Sequence, residues 1–354
     1  MLRRLFFILV SIYFVTLLLG ACAPVGQVTA LPTVAEIEFT PTATTVLPTE
    51  TLLPRPSPNL TVSITPTPEP ASLSYSEALT MYQYDQNEPF DLQVTSEKVK
   101  DGITIQDVTY VAADPQYAST RAGRIETYIV APPGKGPFAG VLIVHGLGQG
   151  WGNRDEFLDE AVTLAQQGVV SLLPSGLFPW TVSFTGTARD DQMNVIKQVI
   201  ELRRSLDLLL AQPGVDPQRI AYVGHDYGAM HGAVLSGVEK RVKAYALIAG
   251  DSHYSHWAIQ YFVAPAKVDA YQQALAAVDP ISYLPHAAPA DLYFQFGKND
   301  NYIDVDTANQ IFEAASQPKK IDWYDAGHTL NDQAVQDRHA WLVAQLDLKP
   351  APAK

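Results

Sequence analysis

Residues 219–230, RIAYVGHDYGAM, join an apolar strand to a helix of small residues through a glycine-flanked turn. The turn has the pattern Gly-x-Asp-x-Gly, and Asp226 stands at its centre. Glycines on both sides allow a tight bend that lifts the central side chain above the end of the strand. The segment therefore predicts a raised carboxylate in a position suited to a nucleophile. Because Asp is also a favoured helix cap, the segment alone leaves that second interpretation open.

Two later apolar strands end in groups that could serve such a nucleophile. Residues 291–300, DLYFQFGKND, run into Asp300, and residues 321–328, IDWYDAGH, run into His328. The chain order nucleophile, acid, histidine is that of a hydrolytic triad, with each member just past the carboxyl end of a strand. We predict His328 as the base and Asp300 as the carboxylate that orients it. Asp251, which follows the strand before that of Asp300, is the alternative acid.

A fourth segment predicts the donors for an oxyanion. Residues 144–148, VHGLG, follow a buried strand with a glycine-rich turn. A backbone N–H there, from Leu147, would pair with the N–H of Tyr227, which follows Asp226.

Strands and helices alternate through most of the chain. Buried-strand or alternating patterns cover 103–111, 124–130, 141–144, 169–173, 219–223, 242–249, 291–296 and 320–324. Helical spacing covers 155–167, 190–211, a stretch from about 227, 268–277, 307–315 and 333–346. This alternation predicts the α/β class, with a mostly parallel sheet covered by helices on both faces.

These segments together resemble the α/β-hydrolase superfamily, and most closely its dienelactone-hydrolase-like branch, over roughly Ile103 to Leu346. VDPQRI at 215–220 and GKND at 297–300 are typical of that branch. The branch carries Cys or Ser where this chain has Asp226. An Asp there is similar to haloalkane dehalogenases and epoxide hydrolases, which usually have Trp in place of Tyr227 and a large helical cap after the sixth strand. Only about forty residues separate that strand from the next one here, so a short insertion is expected instead of a cap.

The residue type at 226 bears on the substrate. A carboxylate is ionised at neutral pH and needs no base to attack. Attack on an ester carbonyl would give an anhydride, whereas attack on an sp³ carbon of a haloalkane or epoxide gives an alkyl ester. The resemblance favours an ester and the residue favours an alkyl electrophile, so the sequence predicts a hydrolase of a small organic molecule without choosing between them. The alternatives are direct attack by water assisted by Asp226, and a lapsed hydrolase domain that serves as a surface binding module.

Composition excludes other classes of function. The 354 residues carry 24 Lys and Arg against 37 Asp and Glu, a formal charge of −13, which argues against a nucleic-acid partner. One cysteine excludes an internal disulfide and a multi-Cys metal site. Without a phosphate loop or dinucleotide motif we expect no cofactor. Residues 251–257, DSHYSHW, could bind a metal, but a polar aromatic pocket wall is the preferred interpretation and no metal is predicted. The oligomeric state is not predicted.

The N-terminal residues predict an export signal. Residues 1–22 have two arginines, an apolar run and the sequence LGAC at 19–22, which resembles the bacterial lipobox. We predict a signal peptide ending at a lipidated Cys22, with an uncleaved anchor helix as the alternative, so that the chain lies outside the cytoplasm on a bacterial membrane. Residues 23–71 are rich in Thr and Pro and predict a disordered stalk. The hydrolase domain is predicted at 72–348, followed by a tail at 349–354.

Overall fold

The apolar runs of the sequence lie side by side in a nine-stranded sheet. The computed structural model describes residues 74–118, 121–148 and 152–348, which belong to the compact unit Thr67–Lys354. The predicted signal peptide, the lipidated Cys22, the stalk and the tail at 349–354 lie outside the described residues.

The sheet is mostly parallel, as predicted. Its strands are β1 (Gln93–Lys100), β2 (Ile103–Val111), β3 (Arg124–Ala131), β4 (Phe138–Val144), β5 (Val169–Pro174), β6 (Val215–His225), β7 (Ala244–Ile248), β8 (Asp291–Gly297) and β9 (Lys319–Tyr324). Their order is β1-β2-β3-β5-β4-β6-β7-β8-β9. The pairs β1–β2, β2–β3 and β3–β5 are antiparallel, and the other five pairs are parallel.

Helices cover both faces of this sheet and enclose two cores. They are α1 (Tyr75–Thr80), α2 (Leu158–Ala165), α3 (Ala188–Leu210), α4 (Tyr227–Val238), α5 (Ser255–Tyr261), α6 (Val268–Leu275), α7 (Pro280–Tyr283), α8 (Val305–Ala314) and α9 (Asp332–Gln345). Apolar residues of α3, α4 and α6 share one core, and those of α2 and α9 share the other. The predicted α/β-hydrolase fold class is therefore confirmed.

The strand order determines where a ligand can be reached. From β4 the chain passes to β5 on one side, whereas β6 lies on the other side of β4. Such a switch point opens a crevice at the carboxyl ends of the strands, where open α/β sheets bind their ligands. Leu147 follows β4 and Asp226 follows β6, so both lie at this crevice.

Strand β1 was not predicted from the sequence. All eight of its residues are exposed, so it lacks the alternation of apolar and polar residues that predicts a strand. It pairs with β2 through a two-residue turn, Asp101-Gly102, in which both residues have positive φ. Asp-Gly is the favoured sequence for such a hairpin and is the signal that could have predicted it.

The segment after β7, the sixth of the predicted strands, is short, as predicted. Residues 249–290 hold the helices α5, α6 and α7 with two 3₁₀ turns, Pro265–Lys267 and Leu284–His286. Among the helices of the described residues, none combines the length and apolar character that crossing a bilayer requires.

Candidate active site

The turn between β6 and α4 holds Asp226 in a strained conformation, with φ 52° and ψ −117°. Positive φ is uncommon outside glycine and persists only where the surrounding structure enforces it. Two glycines make the turn possible, because neither position has room for a side chain. A Cβ on Gly224 would lie 2.4 Å from the carbonyl oxygen of Gly228, and a Cβ on Gly228 would lie 2.3 Å from the carbonyl oxygen of Val144. Asp226 occupies the N-cap position of α4, but its side chain makes no capping hydrogen bond.

The structure brings Asp226, His328 and Asp300 together from the ends of three strands. His328 Nδ1 lies 2.8 Å from Asp300 Oδ2, and its Nε2 lies 3.8 Å from Asp226 Oδ1. The first contact is a hydrogen bond and the second an ion-pair separation. Asp300 Oδ1 accepts hydrogen bonds from the backbone N–H groups of Tyr302 and Ile303, so this carboxylate is fixed on both of its oxygens.

The surroundings of His328 favour the charged form of its ring. Its side chain is 8% exposed, and burial opposes a charge there, but the carboxylates of Asp226 and Asp300 outweigh this and raise the pKa of His328 to about 9. Burial also acts to raise the pKa of Asp300, yet the hydrogen bond from His328 and two backbone N–H groups hold that pKa below its ordinary value. At neutral pH the site therefore contains an imidazolium between two carboxylate side chains.

The loop after β4 supplies the first predicted oxyanion donor. Leu147 N–H donates to Asp226 Oδ2 at 2.8 Å. Tyr227, which carries the second predicted donor, is the first residue of α4. The N–H groups of the first helical turn have no intrahelical acceptor and are available to a ligand. The donor at Leu147 thus contacts the carboxylate of Asp226 itself.

Hydrogen bonds of Trp180 and His145 help to hold the loop that carries Leu147. Trp180 Nε1–H donates to the carbonyl oxygen of Gly146 at 2.7 Å, and His145 Nδ1 lies 2.8 Å from the same oxygen. Gly176 N–H donates to His145 Nε2, which leaves the ring hydrogen on Nδ1. Burial lowers the pKa of His145 to about 4, so the ring stays neutral and this pattern is stable. No role was predicted for His145 from the sequence, although its position beside Gly146 was a signal.

A second imidazole–carboxylate pair, Glu156 and His225, lies beside the first, and the sequence did not predict it. Glu156 Oε2 accepts the N–H of Gly146 at 2.9 Å, and its Oε1 lies 2.5 Å from His225 Nδ1. His225 Nε2–H donates to the backbone carbonyl of His328 at 3.1 Å. The pair therefore joins the loop of the oxyanion donor to the loop of His328. Glu156 lies outside every motif, and no sequence signal pointed to it.

Aromatic side chains surround the first turn of α4. The rings of Trp180 and Tyr227 lie 6.3 Å apart, and Tyr227 and Tyr254 stack with centroids 6.5 Å apart. His231 Nδ1 lies 2.7 Å from the Tyr254 hydroxyl, and its Nε2 lies 2.9 Å from the carbonyl oxygen of Phe178. Burial lowers the pKa of His231 to about 4, so it bridges these groups as a neutral ring.

Asp251, the alternative acid, bonds elsewhere. Its Oδ1 lies 2.8 Å from His256 Nδ1 and accepts the backbone N–H of His253 at 3.1 Å. The carboxylate on Nδ1 of His328 is that of Asp300.

Solved structures of esterases share this fold. An acetyl xylan esterase from Paenibacillus sp. R4 aligns with a TM-score of 0.59 at 18% identity, over 77% of this chain and 93% of its own. Acetyl xylan esterase 1 from Thermoanaerobacterium sp. JW/SL YS485 aligns with a TM-score of 0.60 at 14% identity, over 77% and 92%. A cold-adapted esterase from an Arctic intertidal metagenomic library aligns with a TM-score of 0.50 at 12% identity, over 71% and 97%. At such low identity these similarities concern the fold alone.

Sequence comparison identifies the family. No curated protein matches the chain. The model of the dienelactone hydrolase family matches residues 125–342, which is well over half of the chain and includes the strands that end at Asp226, Asp300 and His328. The chain belongs to the dienelactone hydrolase family.

Proposed function

We propose that this protein hydrolyses a small organic electrophile at an sp³ carbon, such as that of an epoxide or haloalkane, through an alkyl ester on Asp226. The observation that carries the proposal is the hydrogen bond from Leu147 N–H to Asp226 Oδ2. Donors that stabilise an oxyanion act on the oxygen that becomes negative in the transition state. Here that oxygen belongs to the carboxyl group of Asp226, as hydrolysis of an Asp ester requires.

The charges at the site support the same order of steps. Asp226 attacks as a carboxylate and needs no base, so an imidazolium at His328 does not hinder the first step. Alkylation removes the negative charge of Asp226, one of the two that raise the pKa of His328. The pKa of His328 then falls, and the ring becomes a base when water must be activated.

The first half-reaction forms a carbon–oxygen bond between Asp226 Oδ1 and the substrate. The bond from that carbon to the halide or epoxide oxygen breaks, and the leaving atom takes the electron pair. The proton released by His328 goes to the epoxide oxygen or, when halide leaves, to solvent. Asp226 Oδ2 becomes the ester carbonyl oxygen next to Leu147 N–H.

The second half-reaction breaks the ester. His328 accepts a proton from water as the water oxygen attacks Cγ of Asp226, and the N–H groups of Leu147 and Tyr227 hold the oxyanion. Collapse expels the alcohol, which takes a proton from His328, and the new carboxyl group returns its own proton to that ring. The product oxygen thus comes from Asp226, and Asp226 gains the oxygen of water.

An ester or lactone is the second candidate substrate, and the family match favours it. In that case water attacks the substrate carbonyl directly, and the substrate oxygen must replace Asp226 Oδ2 at Leu147. The pKa of His328 is about 9 as long as Asp226 is not alkylated, so this route requires a base that is protonated at neutral pH. The two routes therefore differ in pH dependence as well as in isotope labelling.

A single turnover in heavy-oxygen water separates these routes. With excess enzyme and panels of epoxides, haloalkanes, esters and lactones, we expect heavy oxygen in the peptide that contains Asp226 and none in the product alcohol. Turnover that leaves this peptide unlabelled supports direct attack by water. Absence of turnover across all four panels supports a binding module without catalysis.

Trapping provides an independent test. In His328→Gln the first half-reaction with a haloalkane remains, because halide leaves without taking a proton. The second half-reaction lacks its base, so mass spectrometry should detect a stable adduct on Asp226. His339→Gln is the matched control, because His339 bonds to Gln167 and not to a residue of the site. It should turn over without accumulating an adduct. If His328→Gln carries no adduct with a haloalkane that the wild type consumes, the alkyl-ester route is wrong.

The proposal also places the chain outside the cytoplasm, tethered by lipid on Cys22. Its support is the sequence LGAC at 19–22 and the occurrence of the chain's one cysteine at that position. In a bacterial host fed labelled fatty acid, the wild type and Ser11→Ala should carry label in the membrane fraction, and Cys22→Ala should not. Label that persists in Cys22→Ala, or is absent from the wild type, contradicts the assignment.

A further inference from the structure

Asp251, His253 and His256 form a compact cluster at the carboxyl end of β7. One potential ligand atom from each residue, a carboxylate oxygen or a ring nitrogen, lies within 4.8 Å of the others. Asp251 follows β7 by three positions, and His256 lies in the first turn of α5. From the sequence, a pocket wall was the preferred interpretation of this segment. We propose that the cluster binds a divalent transition metal of the zinc class and thereby fastens α5 to the end of β7.

The donor set suits such a metal. Two imidazoles and one carboxylate match Zn²⁺ and its neighbours, whereas Mg²⁺ and Ca²⁺ prefer oxygen ligands alone. Tetrahedral bonds of about 2.0–2.1 Å place neighbouring ligand atoms about 3.3 Å apart. Because His253 and His256 are both partly exposed, small side-chain rotations can close the remaining distance.

The hydrogen bonds of the cluster orient His253 as a ligand. Ser252 Oγ has two side-chain oxygens as acceptors for its single hydrogen, Gln310 Oε1 at 2.8 Å and Asp251 Oδ1 at 3.4 Å. His253 Nδ1 lies 2.7 Å from the same Oγ, and it donates to that oxygen when the hydroxyl hydrogen goes to either acceptor. The lone pair of the neutral ring is then on Nε2. Metal-bound histidines have this arrangement, in which the other ring nitrogen donates to a fixed acceptor.

The other two ligands already share one hydrogen. His256 Nδ1 donates to Asp251 Oδ1 at 2.8 Å, and the His253 backbone N–H donates to the same oxygen. Within the part of the chain that the structure describes, no donor bonds to Asp251 Oδ2. A metal bound to His256 and Asp251 would take the place of the shared hydrogen and leave the backbone contact intact.

Metal binding to the full-length chain tests the proposal. After chelation, equilibrium dialysis against Zn²⁺ should show one ion per chain for the wild type and for His286→Gln, a control at a stacked histidine outside the cluster. His253→Gln, His256→Gln and Asp251→Asn should each bind at least tenfold more weakly. Ser252→Ala, which leaves the three ligands and removes the acceptor of His253, should lose about 10–100-fold in affinity.

Two further measurements keep the result interpretable. Co²⁺ should give visible absorption bands in the wild type that His253→Gln and His256→Gln lack. Zn²⁺ should raise the Tm of the wild type and leave that of both variants unchanged, because a ligand stabilises the state that binds it. If the wild type binds no stoichiometric Zn²⁺, or if both histidine variants bind it equally well, the proposal fails. Should Asp251→Asn not fold, as judged by circular dichroism, the histidine variants still decide the question.

Discussion

Two imidazole–carboxylate pairs stand next to each other at the carboxyl edge of the sheet, with the rings of His225 and His328 centred 5.0 Å apart. In each pair a carboxylate contacts Nδ1. The pairs differ in what Nε2 contacts, because that of His328 faces Asp226 and that of His225 bonds to a backbone carbonyl. One imidazole–carboxylate pair thus takes part in the proposed reaction, and the other holds two loops in position. The contact made by Nε2 of each histidine makes the difference.

The largest expected effect comes from breaking the pair that faces Asp226. Asp300→Asn removes the charge that orients His328 and offers an amide that can favour the wrong ring tautomer, so turnover should fall by up to about 10⁴-fold. Asp325→Asn is a matched control, since Asp325 is exposed and bonds to Asn299. Steady-state and single-turnover rates measure both. A loss below tenfold in Asp300→Asn, or an equal loss in the control, contradicts the assigned difference between the pairs.

The charge on His328 should appear in stability as a function of pH. Its pKa is about 9 in the folded chain against an ordinary 6.5, so the folded state holds the proton more tightly. The resulting stabilisation, at most about 3 kcal/mol, is complete below pH 6.5 and is lost as pH rises through 9. Denaturant unfolding between pH 6 and 10 measures this decline. His328→Gln should flatten it, and an unchanged slope in that variant would place the titrating group elsewhere.

Breaking the second pair should cost less. Glu156→Gln loosens the contacts to Gly146 and His225 but removes no group that takes part in the proposed steps, so kcat should fall by at most about 10²-fold. We expect KM to change little and the raised pKa of His328 to persist in the pH–rate profile. Glu160→Gln, which breaks an ion pair with Arg338 away from these residues, is the control for lost carboxylate charge. A 10⁴-fold loss of kcat in Glu156→Gln would contradict this difference, because both pairs would then contribute equally to turnover.

The smallest expected effect concerns the loop that both pairs adjoin. Trp180→Phe removes the indole N–H that donates to the Gly146 carbonyl and keeps an aromatic ring. One such hydrogen bond contributes about 1 kcal/mol, so a rate loss of roughly 5–10-fold is expected. Trp257→Phe, at an exposed indole, should have no effect. Equal rates for both variants would show that the loop does not depend on Trp180.

Sequence patterns were sufficient for strands β2 to β9 and insufficient for β1, at the antiparallel edge of the sheet. Strands β4 to β8 carry continuous or strongly apolar runs because helices bury them on both faces. Strand β1 is exposed throughout, so no hydrophobic pattern marks it and only its Asp-Gly turn could have. The predicted boundaries also moved: β6 begins at Val215 rather than near Arg219.

For the candidate site, the sequence predicted only those residues that a local pattern marks. Asp226, Asp300 and His328 each follow a predicted strand, and this local pattern is what predicted them as site residues. Glu156 has no such signal, since its role depends on contacts with Gly146 and His225 from other parts of the chain. The choice between Asp300 and Asp251 likewise depended on which carboxylate reaches Nδ1 of His328.

The sequence by itself determined which strands are buried, the tight turn at Asp226 and the order of the three groups, because hydrophobic periodicity and glycine are local properties of the chain. Only the tertiary structure decided that Leu147 N–H meets the carboxylate of Asp226, and that a second histidine pair supports the first. Those contacts join residues far apart in the chain. Their distances are fixed by how nine strands and their helices pack, which no single segment encodes.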